Sequence, residues 1–364
     1  MRILIYTASM GGGHRSTAAA IEAYLHADCA ETVHVRTVDF MAKHAPNINA
    51  LTRFALDSAV DFFPSAHGTF SDLTNRMPDN PVVHELMAAG FANAEAYIQA
   101  FKPDAVISTH PVAGGVVSEF RRSVDLLAAT VITDYGAHRL WLHPDTDLYF
   151  VATKEMRDDL VVRGIPYDRV VVSGIPIDER FVEPVSRQAC REVLGLADRF
   201  TVLLTAAAGS VDEMRSLARS LVGAGIQVAA VAGRNERLHR ALLTLVEKHP
   251  LLHAFGFTTE MHVMMRAADV VVGKAGGLTV SEAFAVGAPI IIYNTLPGQE
   301  TYNVRFLVTW GAGLEARAEE DVLEEVRFLA THPERLSQLA SNAAALGRPA
   351  AARAVCERVL AGLR

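Results

Sequence analysis

Twice along the chain a short apolar run ends in a glycine-rich turn and passes straight into a helical pattern. The first case is Ile3–Tyr6, followed by Ser9-Met10-Gly11-Gly12-Gly13-His14-Arg15-Ser16. The second is Val270–Val272, followed by Gly273-Lys274-Ala275-Gly276-Gly277-Leu278-Thr279-Val280-Ser281-Glu282-Ala283. Runs this short and this free of charge read as strands buried on both faces. Alternation with helices makes the sheet parallel and doubly wound. The same grammar surrounds both cases. Strands are expected at Ile3–Tyr6, Val33–Val38, Ala105–Thr109, Thr130–Thr133, Tyr149–Ala152 and Val170–Ser173. Helical stretches such as Ser16–Leu25 lie between them, with Ala18, Ile21 and Leu25 on one face. The pattern restarts at Val202–Thr205, Val228–Ala232, Leu252–Phe255, Val270–Gly273 and Pro289–Tyr293. Helices are expected around Asp212–Val222, Glu236–Lys248, Glu260–Ala267 and Thr279–Val286. A polar, proline-containing joint at Glu183–Gln188 divides the 364 residues into two α/β, Rossmann-like domains, 1–183 and 184–364. Beyond Gly313 the pattern is mostly helical, and the last helix, Ala350–Leu363, is free to pack back on the first domain.

A net charge of −7 argues against a dedicated nucleic-acid binder, whose affinity rests on cationic neutralisation of phosphates. Cys29, Cys190 and Cys356 are widely spaced and form no CxxC, which fits a reducing, cytoplasmic compartment. Met1–Thr7 reads as a buried strand rather than a secretory signal. The longest uncharged stretches, such as Ala283–Gln299, are broken by Gly, Pro and Asn, whereas a spanning helix needs about 20 mostly apolar residues. Membrane contact is therefore expected to be peripheral. One stretch breaks the rhythm: Met41–Arg76 mixes Leu51, Phe54, Leu56, Phe62, Phe63 and Phe70 with polar residues. It is either a helical insertion on the core or an apolar flap that meets lipid. Lys43, Arg53 and Arg76 against Asp57, Asp61 and Asp72 give it no basic excess.

In the first glycine turn, the helix that follows points free N–H groups and a positive dipole end back at the turn. Walker A needs Lys-Ser/Thr after the last glycine, where His14-Arg15 stands. The dinucleotide pattern fails at Ser16, leaving Asp39 as its only support. A tight turn alone would not call for His14. In the second turn, the amides of Gly276, Gly277 and Leu278 can face a diphosphate, and Glu282 can accept from two ribose hydroxyls. Gln299 and Glu300, in Leu296-Pro297-Gly298-Gln299-Glu300, offer the donors and acceptors that sugar hydroxyls require. Ser210 follows the second half's first strand and Arg234 its second. His110, Asp134, His138 and His143 lie just beyond strands of the first half without HxxxH or HExxH spacing, so no metal site is expected. Asp145-Thr146-Asp147 copies a metal-binding DxD but precedes a strand instead of ending one.

These pieces resemble the monogalactosyldiacylglycerol synthase and processive diacylglycerol glucosyltransferase family. They are similar, more distantly, to the peptidoglycan N-acetylglucosaminyltransferase that makes lipid II. The resemblance rests on GGGHRSTAAAIEAYL, VITDYGAHRLWLHPDTDLYFVAT, VSGIPID and GFTTEMHVMMRAADVVVGKAGGLTVSEAFAVGAPIIIYNTLPGQETYN, and covers nearly the whole chain. It implies a GT-B fold, two domains facing a cleft, and an inverting, metal-independent transferase. The UDP-sugar donor would bind the second domain and a lipid acceptor at the membrane surface the first. Glu282 would then hold the ribose, Phe257 and Thr258 would lie in the segment that reads uracil, and Gln299 and Glu300 would meet the sugar. Ser210, Arg234 and the Gly276-Gly277-Leu278-Thr279 turn complete the expected donor contacts together with Gly13. Gly12, His110 and His138 are the expected acceptor contacts. The catalytic base is His14 or Asp134. A soluble acceptor and a UDP-N-acetylglucosamine 2-epimerase activity are the alternatives.

Overall fold

The structure is a computed structural model that describes residues 1–9, 12–29, 31–46, 92–206, 209–295 and 299–363. The chain divides directly after GIPID into two units. Met1–Asp178, Leu296–Tyr302 and Arg348–Arg364 form one, and Glu179–Thr295 and Asn303–Gly347 form the other.

The first unit carries six parallel strands: β1 (Arg2–Thr7), β2 (His34–Asp39), β3 (Ala105–Ser108), β4 (Leu127–Val131), β5 (Leu148–Val151) and β6 (Val170–Val172). Their order is β2-β1-β3-β4-β5-β6, with Ile3 opposite both Val35 and Ala105. Side chains alternate across a strand, so each face of β1 feeds its own core. Leu4 and Tyr6 pack with Phe40, Val116, Val117 and Phe120. Ile3 and Ile5 pack on the other side with Ala18, Ile21 and Leu25. Val355, Cys356 and Val359 of the last helix, Ala351–Gly362, belong to that second cluster.

Two boundaries differ from expectation where they matter. The helix after β1 begins at Gly12 and runs to Cys29, so Gly12, Gly13 and His14 form its first turn rather than a loop ahead of it. β4 pairs with β3 through Leu127–Thr130 and stops at Val131, which leaves Thr133 beyond the strand's end. The apolar stretch Met41–Arg76 lies, from residue 47 onward, outside the described residues.

The second unit repeats the plan with β7 (Thr201–Thr205), β8 (Gln227–Val231), β9 (Leu252–Phe255), β10 (Val270–Gly273), β11 (Ile290–Tyr293) and β12 (Gly313–Ala316), in the order β12-β11-β10-β7-β8-β9. β12 is a strand where a mostly helical chain is expected. It is four residues long, carries a half-exposed edge pattern and pairs with β11 from Gly313 to Ala316. The sheet is pinned at its lower edge by Asp269. Its carboxylate accepts from the Thr201 N–H at 2.8 Å, from Arg191 Nη2 at 2.7 Å and from Arg187 Nη1 at 2.7 Å. No helix among the described residues is long and apolar enough to cross a membrane.

Candidate active site

In each sheet the strand order reverses once, and a reversal opens a crevice at the strands' carboxyl ends where ligands bind in doubly wound folds. In the first unit the reversal lies between β1 and β3, because the chain runs outward from β1 to β2 and then returns to β1's other side. The residues after β1 and β3 are those that carry His14 and His110.

His14 is held from several directions. Thr109, just past β3, donates its backbone N–H to the Tyr6 carbonyl at 2.9 Å and its hydroxyl to the His14 carbonyl at 3.0 Å, which ties the helix start to the sheet. Thr133 Oγ1 lies 3.1 Å from His14 Nδ1. The His110 ring meets the imidazole edge to face at 5.1 Å between centroids, and the Trp141 ring lies at 6.0 Å. Burial pushes the His14 imidazole down to about 4, and a hydrogen bond with the Thr109 backbone opposes only part of that. His110 is pushed well below the usual histidine range by its own burial and then by the neighbouring His14. Both imidazoles are therefore neutral near pH 7.

His110 stands at the N-cap of the helix Pro111–Phe120 without using its side chain as a cap. Its Nδ1, like Trp141 Nε1, is buried with no hydrogen-bond partner among the described residues. Orphaned polar atoms cost roughly 1–3 kcal/mol each, and these two belong to the rings that pack against the His14 imidazole. His138 caps the turn Arg139–Trp141, its Nδ1 accepting from the Leu140 N–H at 3.2 Å. Asp134 follows Thr133 and is half-buried. Asp39 is committed locally: it accepts from the Ser9 hydroxyl and, at 3.0 Å, from the Ala42 N–H. The DxD carboxylates are likewise engaged, Asp145 with Arg122 and Asp147 with Arg121.

In the second unit the reversal lies between β7 and β10. Ser210, after β7, caps the helix Val211–Gly223; its Oγ accepts from the Glu213 N–H at 3.3 Å, and the Glu213 carboxylate accepts in return from the Ser210 N–H at 2.7 Å. After β10 the chain forms the turn Lys274–Gly276 and the helix Gly277–Ala285. Gly276 is its N-cap with no side-chain cap bond, and a Cβ there would meet only Thr279 Oγ1, at 3.8 Å. The first amides of that helix, at Gly277, Leu278 and Thr279, thus have no side-chain acceptor at the N-cap. Gly273 is required for packing: a Cβ there would stand 2.4 Å from Thr205 Oγ1, on the neighbouring strand. Glu282 lies in the helix's second turn, half-buried.

Farther along the same edge, the Arg234 guanidinium lies 4.7 Å above the Phe257 ring, which is 60% exposed. An exposed aromatic stacked on a guanidinium presents a flat face to a planar ligand. Beside it, Thr258 Oγ1 accepts from the Glu260 N–H at 2.9 Å. Gln299 and Glu300 begin the helix Gln299–Thr309. Among the described residues no three His, Cys, Asp or Glu side chains gather in a way that could hold a metal ion.

The model of the monogalactosyldiacylglycerol (MGDG) synthase family matches residues 14–177, and that of the glycosyltransferase family 28 C-terminal domain matches residues 209–355. Together the two matches identify the chain as a glycosyltransferase. It is 29% identical, over 349 residues, to the processive diacylglycerol beta-glucosyltransferase of Bacillus pumilus (strain SAFR-032), an alignment spanning 94% of this chain and 90% of that protein. Among solved structures the transferase superposes on MurG of Acinetobacter baumannii with a TM-score of 0.67 at 17% identity over 99% of both chains. It also superposes on the UDP-GlcNAc 2-epimerase of Neisseria meningitidis bound to UDP-GlcNAc, with a TM-score of 0.65 at 14% identity, covering 99% of this chain and 100% of that one. These likenesses establish the GT-B fold.

Three residues of the site escape sequence reasoning. Thr133 and Trp141 come to His14 only through the order of the strands. Lys274 is the third, half-buried at the end of β10 and without an ion-pair partner among the described residues. A polar or cationic residue directly after a parallel strand is the signal that could have found the first and last of these.

Proposed function

We propose that this glycosyltransferase moves a hexosyl group from a UDP-sugar to the free hydroxyl of diacylglycerol or a related lipid, inverting the anomeric carbon. The observation that carries the reading is a neutral imidazole, His14, held at the switch point of one sheet while an uncapped helix start occupies that of the other. Similarity to a processive diacylglycerol beta-glucosyltransferase supports the choice of acceptor.

The first unit activates the acceptor. His14 takes the proton of the acceptor hydroxyl as the oxygen attacks the anomeric carbon from the face opposite the leaving group. The bond from that carbon to the diphosphate oxygen breaks, UDP leaves with the electron pair, and the proton resides on the imidazole. Asp134 is the rival base. Gly12, His110 and His138 line the acceptor's polar end in this reading.

The second unit holds the donor. The amides of Gly277, Leu278 and Thr279, with Ser210 and Lys274, carry the diphosphate's charge and make a metal unnecessary. Glu282 accepts from the ribose hydroxyls, and Phe257 and Arg234 stack on uracil beside Thr258; Gln299 and Glu300, the sugar contacts of this reading, belong to the first unit. The enzyme works in the cytoplasm, peripherally on the inner face of the membrane, where its acceptor resides.

The test is a panel of UDP-sugars with diacylglycerol in mixed micelles, following UDP release and the glycolipid formed. UDP release that needs the lipid is expected. Release with soluble acceptors alone sinks the lipid assignment, and conversion of the UDP-sugar without any acceptor sinks the transferase assignment in favour of epimerisation. Glu282→Ala is expected to raise the donor KM about tenfold or more by removing a charged hydrogen-bond acceptor. His14→Ala is expected to lower kcat by about 100-fold or more, and unchanged turnover would refute the base assignment.

A further inference from the structure

A neutral imidazole has one nitrogen protonated and one free, and the partner of one nitrogen decides what the other can do. In His14 that partner is Thr133, whose Oγ1 lies 3.1 Å from Nδ1. The ring has little freedom to choose another arrangement. His110 stands against it at 5.1 Å, Trp141 at 6.0 Å, and the Thr109 hydroxyl holds the residue's own carbonyl at 3.0 Å. Thr133 is itself 5% exposed, so water does not compete for its hydroxyl. Whichever way that hydrogen bond runs, it engages Nδ1, while the ring's hydrogen bond with the Thr109 backbone, which raises the pKa, is one in which the imidazole donates. Only one direction leaves Nε2 with a lone pair.

We infer that Thr133 is a positioning residue: its hydroxyl oxygen accepts the Nδ1–H of neutral His14 and so fixes the tautomer whose Nε2 receives the acceptor's proton. The inference rests on the reading of His14 as the base. Proton uptake supplies a physical reason for this direction. Imidazolium donates from both nitrogens, so a hydroxyl that already accepts from Nδ1 keeps its bond through the transfer and needs no reorganisation. A hydroxyl that donates to Nδ1 would have to turn around in a closed environment as the charge appears.

Three variants and one spectroscopic measurement test this. Thr133→Val keeps the branched shape and removes the hydroxyl, and Thr133→Ser keeps the hydroxyl. Thr133→Val is expected to lower kcat about tenfold with the donor KM changed less than about twofold, and Thr133→Ser to restore kcat to within about threefold. In 15N-histidine NMR of the wild type, the His14 signal, assigned by its loss in His14→Ala, is expected to show a protonated Nδ1 and an unprotonated Nε2. In Thr133→Val it is expected to move toward the other tautomer. A wild-type His14 protonated at Nε2 overturns the inference. So does an unchanged kcat in Thr133→Val when His14→Ala is inactive, a result that leaves the base reading standing. Full turnover in His14→Ala overturns the base reading and any catalytic role for Thr133 with it.

Discussion

At the scale of single residues, the chemistry of the first unit depends on how an imidazole is surrounded. Free histidine titrates near 6.5, whereas burial brings His14 down to about 4. A base acts in its unprotonated form, so activity is present above its pKa and lost below it. The profile of kcat/KM for the lipid acceptor reports the free enzyme. It is expected to keep its plateau as pH falls through about 6.5 and to bend only toward the lower value. A rate assay with brief exposure to each pH checks this, and an acid limb near the free-histidine value would mean that another group, or a solvated His14, sets the rate. Lowering a base's pKa also weakens it as a proton acceptor. Nearly all the enzyme is thus in the reactive form near neutrality, while each proton transfer has less driving force.

At the scale of elements, glycines set how closely strands and helices approach. A Cβ on Gly313 would fall 2.3 Å from the Ile290 carbonyl oxygen and 2.3 Å from Leu307 Cδ2, so β12 reaches β11 only because that atom is missing. Gly313→Ala is expected to destabilise the protein by about 1–3 kcal/mol, as overpacking does, read as a lower midpoint in urea. An unchanged midpoint would mean that the edge strand shifts outward at no cost. The same strand shows why sequence reasoning reached some elements and not others. β9 and β10 are apolar runs with clear ends, and their bounds, Leu252–Phe255 and Val270–Gly273, are readable directly. β12 is GLEA, four residues with a charge inside and a glycine whose purpose is steric, so no local pattern announces it. Gly12 and Gly13 mislead in the opposite sense, since residues expected to break a helix open one. The site divides along the same line. His14, the glycine turns and Glu282 stand out because their chemistry is unusual at short spacing. Thr133 and Trp141 reach His14 through the adjacency of β1, β3 and β4, which nothing in the local sequence encodes.

At the scale of the whole molecule, buried histidines link the fold to pH. His44 is 2% exposed, 3.1 Å from the Tyr6 hydroxyl, and burial followed by the nearby Lys43 brings it down to about 4. His14 and His110 are depressed as well, and burial also lowers His143 and His253. Each of these groups binds a proton more readily in the unfolded chain than in the folded one. Between the folded values and about 6.5, unfolding therefore takes up protons, and stability rises with pH. The contribution is fully present above about 6.5 and is lost as pH falls toward 4, at up to about 1.4 kcal/mol per pH unit for each fully buried histidine. Calorimetric melting is expected to show Tm falling steeply as pH drops from about 7 to about 5, with a shallower slope in His44→Gln. A Tm flat across that window would mean that these histidines are solvated in the folded protein. Because the acid limb set by His14 lies at the bottom of this window, the fold is already weakened where the base still acts. Brief assays near pH 5 should thus still register turnover, whereas prolonged incubation at the same pH removes it through unfolding.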